Sequence, residues 1–364
     1  MTTPLAELTT LRVGGVPTRL VEATTTEELL AAVREAWADG EPWFPLGGGS
    51  NTLAADGPID ATVVRVLTRG VDRVPSDDGL VHLRVAAGEP WEDLVARTVA
   101  DGLSGLEALS GIPGSTGASP IQNIGAYGQE VSSTIVSVDF LDDDSGEFVR
   151  VPAANLGLGY RTSAFKQGRR GVVTAVEFAL VDEGGLSRQV AYPQLASALD
   201  VELGARVPVA EVREGVLALR RAKGMVLDAD DPDTTSAGSF FTNPVVSRAT
   251  AAELPAEAPR WPTEPEPADV VVPLGEEPAP PPPPGEGRTK LSAAWLIERA
   301  GVRRGFALPG SRAAVSTKHT LALTNRGGAT ADEVAELARF VQSRVASEFG
   351  VLLHPEPVLV GFSL

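Results

Sequence analysis

The sequence predicts an α+β or α/β protein of several lobes, and three observations carry this. Segments of strand character alternate with amphipathic helices along 364 residues, without an internal repeat. That length suffices for two or three domains, each burying its own core. Hydrophobic residues at 43% and charged residues at 22% are globular proportions.

The elements follow in order. In "TTTEELLAAVREAWADG", Thr25 and Glu28 have capping-box spacing, Leu29, Val33 and Trp37 share one face, and Gly40 can end the helix. A short run, "WFPL" (43–46), enters the glycine cluster "GGGSN" (47–51). "ATVVRVL" (61–67) and "LVHLRVAAG" (80–88) read as strands, the second alternating apolar and polar. Pro90 opens a helix whose Trp91, Leu94, Val95 and Val99 face one way. "TIVSVDFL" and "EFVRV", joined by the acidic turn "DDDSG", predict a hairpin, and "GVVTAVEFALV" (171–181) predicts a strand. A helix over 209–223 and an acidic loop lead to "GSFFTNP" (238–244). The last long helix starts at Thr330, boxed by Glu333, and carries Val334, Leu337, Val341 and Val345 to Gly350. "PVLVGF" is a closing strand. Residues 255–287, rich in proline, glutamate and alanine, are expected to form a solvated insert that packs no core. Its five prolines, 280–284, should be polyproline II, and docking of a proline-reading partner is the alternative use.

Composition narrows the function. A net charge of -17 argues against nucleic acid, although a local basic pocket could still hold a small anion. With no cysteine there is no disulfide, thiolate nucleophile or Cys-type zinc site, and three histidines far apart in sequence predict no metal site. The start lacks a signal-peptide pattern, and no apolar run approaches the ~20 residues that span a bilayer. A soluble cytoplasmic protein without a membrane association is the expectation.

Two glycine-rich stretches stand out: "LGGGSN", and "SGIPGSTGASPIQNIGAYG" some sixty residues later. Glycine admits positive φ and lets backbone N–H groups approach an anion. With Ser50, Asn51, Ser115, Thr116 and Asn123 as side-chain donors, the two loops suggest a pyrophosphate held by backbone rather than by lysine. Neither stretch is a Walker loop or a dinucleotide fingerprint, so a turn-rich structural loop is the competing reading.

Four motifs in order, "GIPGSTGASPIQNIGAYG", "YRTSAF" (160–165), "AGSFFTNP" (237–244) and "HPEPVLVG" (354–361), resemble the UDP-N-acetylenolpyruvoylglucosamine reductase family of peptidoglycan synthesis. The resemblance covers nearly the whole chain apart from the proline-rich insert. It implies a three-lobed FAD-binding fold of the vanillyl-alcohol-oxidase type. Residues 1–70 would form the first FAD lobe, with strand 355–364 returning to it; 71–220 the second; and 221–354 the substrate lobe. FAD would lie against Gly47, Gly48, Gly49, Ser50 and Asn51, and against Gly111, Ile112, Pro113, Gly114, Ser115, Gly117, Ala118, Asn123, Gly125, Ala126 and Tyr127. Arg220 is matched to an arginine near the flavin.

Reducing an enol ether takes a hydride at one carbon and a proton at the next, with charge building on the adjacent carboxylate between the two events. By the resemblance, NADPH reduces FAD and leaves, and the hydride then passes to the enolpyruvyl methylene carbon. Arg161 and Glu356 would stabilise the enolate, and Ser239 would protonate the α carbon to give UDP-N-acetylmuramate. Tyr160, Lys223, Asn243 and Lys290 match substrate positions, and Tyr192 lies where one branch of the family carries a mobile, substrate-closing tyrosine. The chain departs from the family pattern at Gly48, Thr242 and His354, and at Val358, where an arginine near the flavin is frequent. Two rivals remain: another flavin oxidoreductase acting on a small alcohol, and a non-enzymatic binding protein whose proline-rich tract recruits partners.

Overall fold

The protein is described by a computed structural model covering residues 3–263 and 287–364. The N-terminal part is a three-stranded parallel sheet in the order Pro17–Ala23, Ile59–Val66, Trp43–Leu46. Helix Thr26–Asp39 packs on it through Leu29, Ala32, Val33 and Ala36. Its capping box is made: Glu28 N–H donates to Thr25 Oγ1 at 3.1 Å, and Thr25 N–H to Glu28 Oε2 at 3.3 Å. Gly40, at φ 67°, closes the far end in the left-handed region that favours glycine. Strand Pro17–Ala23 escapes a periodicity reading because its outward residues are mixed and its pairing partner lies forty residues away.

The second sheet is antiparallel, ordered Phe148–Pro152, Ile135–Asp142, Gly171–Asp182, Val81–Ala86, Val71–Val74. The acidic hairpin is present, with Asp142 Oδ1 accepting from the backbone of Asp144 and Ser145 inside the turn. Helix Trp91–Ala100 starts after Pro90 and buries Trp91, Leu94, Val95 and Val99. One continuous apolar core runs from Leu29 of the first helix and Val64 of the first sheet to Val138, Val176 and Phe178 of the second sheet, welding the two sheets together.

The C-terminal part has its own core, around Phe240, Phe241, Leu296, Val315 and the buried face of helix Ala331–Phe349. That helix carries the expected capping box from Thr330 and ends at Gly350. Strands Ser236–Ser239, Ala322–Asn325 and Ala313–Val315 make one small antiparallel sheet; the last two are too short for a periodic signal. Strand Val358–Val360 runs parallel to Thr52–Ala54, so the end of the chain is bonded to the first glycine loop.

One expectation needs correcting. Residues 255–263 do not belong to a solvated insert: Ala258 is buried, and strand Arg260–Thr263 pairs with Arg288–Leu291. Proline-rich composition hid the strand, because Pro262 occupies an edge strand, where a missing N–H is tolerated. Residues 264–286, including the proline run, lie outside the described residues.

Candidate active site

The two glycine stretches are packed on each other. A Cβ on Gly47 would sit within 2.2 Å of Ser115 Oγ, and one on Gly48 within 2.7 Å of the Gly114 Cα. Ser50 Oγ donates to Pro113 O at 2.8 Å. Asn51 Nδ2 donates to Gln122 Oε1 at 3.1 Å and to Glu356 O at 3.3 Å, and Asn51 O accepts from Val358 N–H at 2.9 Å. Asn51 therefore staples the first loop, the second loop and the C-terminal strand.

Ser50, Asn51, Thr116 and Asn123 were expected to offer side-chain donors to a ligand, but all four spend them inside the protein. Side chains this close to another buried loop must satisfy its carbonyls first. What the loops leave open is a cavity of about 290 Å³ between the first and second sheets. Gly47, Ser115, Gly117 and Ala118 line it, with Trp43 and Phe140 as aromatic walls.

Arg161 follows the second loop in space. Its Nη2 donates to Gly125 O at 2.9 Å, and its Nε lies 3.3 Å from Glu356 Oε1. Its own backbone takes φ 54°, as Asn123 and Tyr127 do at 46° and 50°, an unusual gathering of left-handed non-glycine residues around one cleft. Glu356 is held from the opposite side, its N–H donating to Phe240 O at 2.8 Å. Burial pushes the Glu356 carboxyl pKa up, while Arg161 and Lys166 pull it down.

Ser239 precedes Phe240, at the end of strand Ser236–Ser239, so the backbone that holds Glu356 also places the serine. Arg161 and Glu356, from two separate stretches of the chain, are thus in contact, and Ser239 stands one residue from the backbone that anchors Glu356.

The remaining candidates fall into two groups. Tyr160 neighbours Asn243, and Lys290 Nζ stands 4.7 Å from the Tyr160 ring centroid. Asn243 Oδ1 accepts from Ala293 N–H at 2.9 Å. On the other side, Lys223 Nζ lies 5.4 Å from the Tyr127 ring centroid and donates to Gln194. Tyr127 meets Tyr192 edge to face at 5.7 Å, with the Tyr192 side still exposed.

Arg220 lies behind Gly111. Its Nη2 donates to Met225 O at 2.8 Å, but its buried Nε has no partner among the described residues. Burial lowers its pKa to about 10. A guanidinium desolvated without a carboxylate on it is suited to an anionic group. Arg220 does not line the aromatic-walled cavity, but each offers one thing that an anionic, ring-bearing cofactor requires.

Two residues near the trio were not singled out from the sequence. Lys166 directly follows the "YRTSAF" motif, and burial and the Arg161 charge lower its pKa, Glu356 acting against them. His319 Nε2 stands 3.5 Å from Ser239 Oγ. Neither could be found from spacing, since a lysine at a motif edge and a lone histidine are ordinary features. Val358, at the position noted for its missing arginine, is exposed. Among the described residues no group of three or more acidic or histidine side chains could hold a metal ion, and no helix is long and apolar enough to cross a membrane.

Comparison with known proteins identifies the family. Residues 17–152 match the family described as FAD binding domain, and residues 230–360 match UDP-N-acetylenolpyruvoylglucosamine reductase, C-terminal domain. The chain is 57% identical to the UDP-N-acetylenolpyruvoylglucosamine reductase of Leifsonia xyli subsp. xyli, over the full length of both. It is 54% identical to that of Saccharopolyspora erythraea, covering 99% of this chain and 95% of the relative. The crystal structure of UDP-N-acetylenolpyruvylglucosamine reductase from Thermus caldophilus superposes with a TM-score of 0.61 at 27% identity, covering 98% of this chain and 97% of that one. The fold is therefore the FAD-binding fold with its reductase-type C-terminal domain, and the chain belongs to the UDP-N-acetylenolpyruvoylglucosamine reductase family.

Proposed function

We propose that the protein reduces UDP-N-acetylglucosamine enolpyruvate to UDP-N-acetylmuramate, with NADPH as hydride source and FAD as relay, in peptidoglycan precursor synthesis. The observation that supports the residue-level reading is the contact of Arg161 with Glu356, whose backbone is bonded to Phe240 beside Ser239. Bound FAD would supply the hydride to the substrate's methylene carbon. This chain's side chains handle the charge and the proton.

Hydride addition drives an electron pair toward the α carbon and the substrate carboxylate. Arg161, fixed by Gly125 O, is a permanent cation for that charge. Glu356, held against Arg161, would position or polarise the same carboxylate. The Ser239 hydroxyl gives its proton to the α carbon; the O–H bond breaks as the C–H bond forms.

Arg220 and the backbone of the two glycine loops would hold the anionic and ring portions of FAD, around the cavity walled by Trp43 and Phe140. Tyr160, Asn243 and Lys290, and on the other side Lys223 and Tyr192, would take the sugar nucleotide, their amines and amide meeting diphosphate or sugar oxygens. The lobe limits near residues 70 and 220, with the C-terminal strand counted in the first lobe, belong to the same reading.

Anaerobic stopped-flow tests the assignment. Ser239→Ala should keep the rate of flavin bleaching by NADPH and lose reoxidation by the enolpyruvyl sugar nucleotide by about 100-fold or more. Reoxidation at the normal rate would remove Ser239 from its role.

A further inference from the structure

A hydroxyl is a weak acid, and nothing assigned so far stabilises the alkoxide that Ser239 becomes when its proton leaves. The group nearest its oxygen is an imidazole. Strand Ser236–Ser239 pairs with Ala322–Asn325, Ser239 facing Ala322, and Phe240 N–H donates to Leu321 O at 2.7 Å. The turn entering that second strand holds His319. Ser316 Oγ accepts from both Lys318 and His319 N–H, at 3.1 and 3.2 Å, and His319 O accepts from Ala322 N–H at 3.0 Å. The turn is thus tied at both ends, and the ring is carried to the serine by backbone rather than by chance of rotamer. Nε2 lies 3.5 Å from Ser239 Oγ, the outer limit of a hydrogen bond, and such contacts in ligand-free sites tighten when substrate is bound.

We propose that His319 is a positioning residue for Ser239, its neutral ring donating the Nε2–H to the serine oxygen, so that the hydroxyl hydrogen points away from the ring toward the substrate and the developing alkoxide is stabilised. This rests on Ser239 as proton donor. No covalent step involves the ring; it contributes one hydrogen bond that strengthens as the O–H bond breaks.

The surroundings favour a neutral donor over a base. Burial is the main cause that lowers the His319 pKa to about 4, with Lys223, Arg220 and Arg304 pushing the same way and Glu298 opposing. A ring in this setting does not take the serine proton, which separates the pair from a Ser–His nucleophile. Glu298 is itself engaged by Thr320 Oγ1.

The experiment uses the FAD-loaded full chain and reads each half-reaction separately. His319→Ala should slow reoxidation by the enolpyruvyl sugar nucleotide by about 100-fold, the loss typical of one donor at a developing oxyanion. Bleaching by NADPH and the substrate KM should stay within about twofold. His319→Gln, whose amide can donate at the same place, should recover most of the rate. ¹⁵N NMR should show His319 neutral with the proton on Nε2 from pH 8 down to about 5, and the double variant with Ser239→Ala should be no slower than Ser239→Ala alone. Normal reoxidation in His319→Ala, equal loss in both half-reactions, no recovery in His319→Gln, or an Nδ1-protonated ring would each overturn the proposal. The failures are distinguishable: a normal rate in Ser239→Ala removes the proton donor itself, whereas a slow Ser239→Ala with a normal His319→Ala removes only the histidine.

Discussion

Gly49→Ala tests whether the glycine loops are small because backbone must approach backbone. Gly49 has φ 62°, and a Cβ there would lie 2.1 Å from Leu8 O and 2.9 Å from Thr9 Cα. Neither is a flexible side-chain end, so the two segments must part by over an ångström to regain ordinary contact. The same movement strains the bond from Thr10 N–H to Gly49 O, 3.2 Å long. Left-handed backbone costs a non-glycine residue about 1–2 kcal/mol. Overpacking costs roughly a further 1–3 kcal/mol, so the total is about 2–5 kcal/mol. Gly40 supplies the control: its φ is 67° and nothing lies within 4 Å of its Cβ position, so Gly40→Ala carries the backbone cost alone. Urea unfolding of the two apoproteins should differ by about 1–3 kcal/mol. If that difference falls on the loop's FAD-competent shape, flavin affinity measured by fluorescence quenching should weaken about 5- to 150-fold in Gly49→Ala only. Equal stability of the two variants would refute the close-approach argument.

Three further outcomes follow from individual contacts. Burial raises the Glu356 pKa above its ordinary 4.5, so the fold binds that proton more tightly than the unfolded chain and loses stability as pH rises from about 4.5 through the folded value. Glu356→Gln should therefore be relatively more stable at pH 7 than at pH 4 in urea titrations, while turnover drops by about 100-fold or more. His82 has its pKa raised, first by the hydrogen bond to Glu177 and also by Asp78, against burial. Its contribution is full below the ordinary 6.5 and fades as pH rises through the folded value, so His82→Gln should cost roughly 1 kcal/mol at pH 5.5 and little at pH 9. Replacing residues 264–286 by a short Gly-Ser linker should leave turnover within about twofold, because the composition of that stretch offers no core. Removing residues 258–263 as well should cost solubility or stability, since Ala258 and strand Arg260–Thr263 are packed and paired.

Legibility along the chain followed the range of the forces involved. Both capping boxes were readable because a cap is made within four residues. The acidic hairpin and strand Gly171–Asp182 were readable for a similar reason: alternation and turn chemistry are local. Strands Ala313–Val315 and Ala322–Asn325 were not, being three and four residues long and defined only by their partners. Arg260–Thr263 was misread because composition averages over a segment, whereas one edge strand needs only a few paired residues.

In the site, motif resemblance named Arg161, Ser239 and Glu356 without their geometry. It could not tell that Ser50 and Asn51 would be consumed by the second loop and the C-terminal strand, or that His319 would face Ser239. By itself the sequence determined the four longest helices and their ends, the longer strands of the second sheet and the family's chemistry, because these depend on residue identity and short spacing. Only the tertiary structure decided which polar groups are spent on the protein and which face the cleft. That follows from burial and from contacts between residues far apart in the chain, 305 positions in the case of Asn51 and Glu356, where each donor must be satisfied by whatever the fold brings near it.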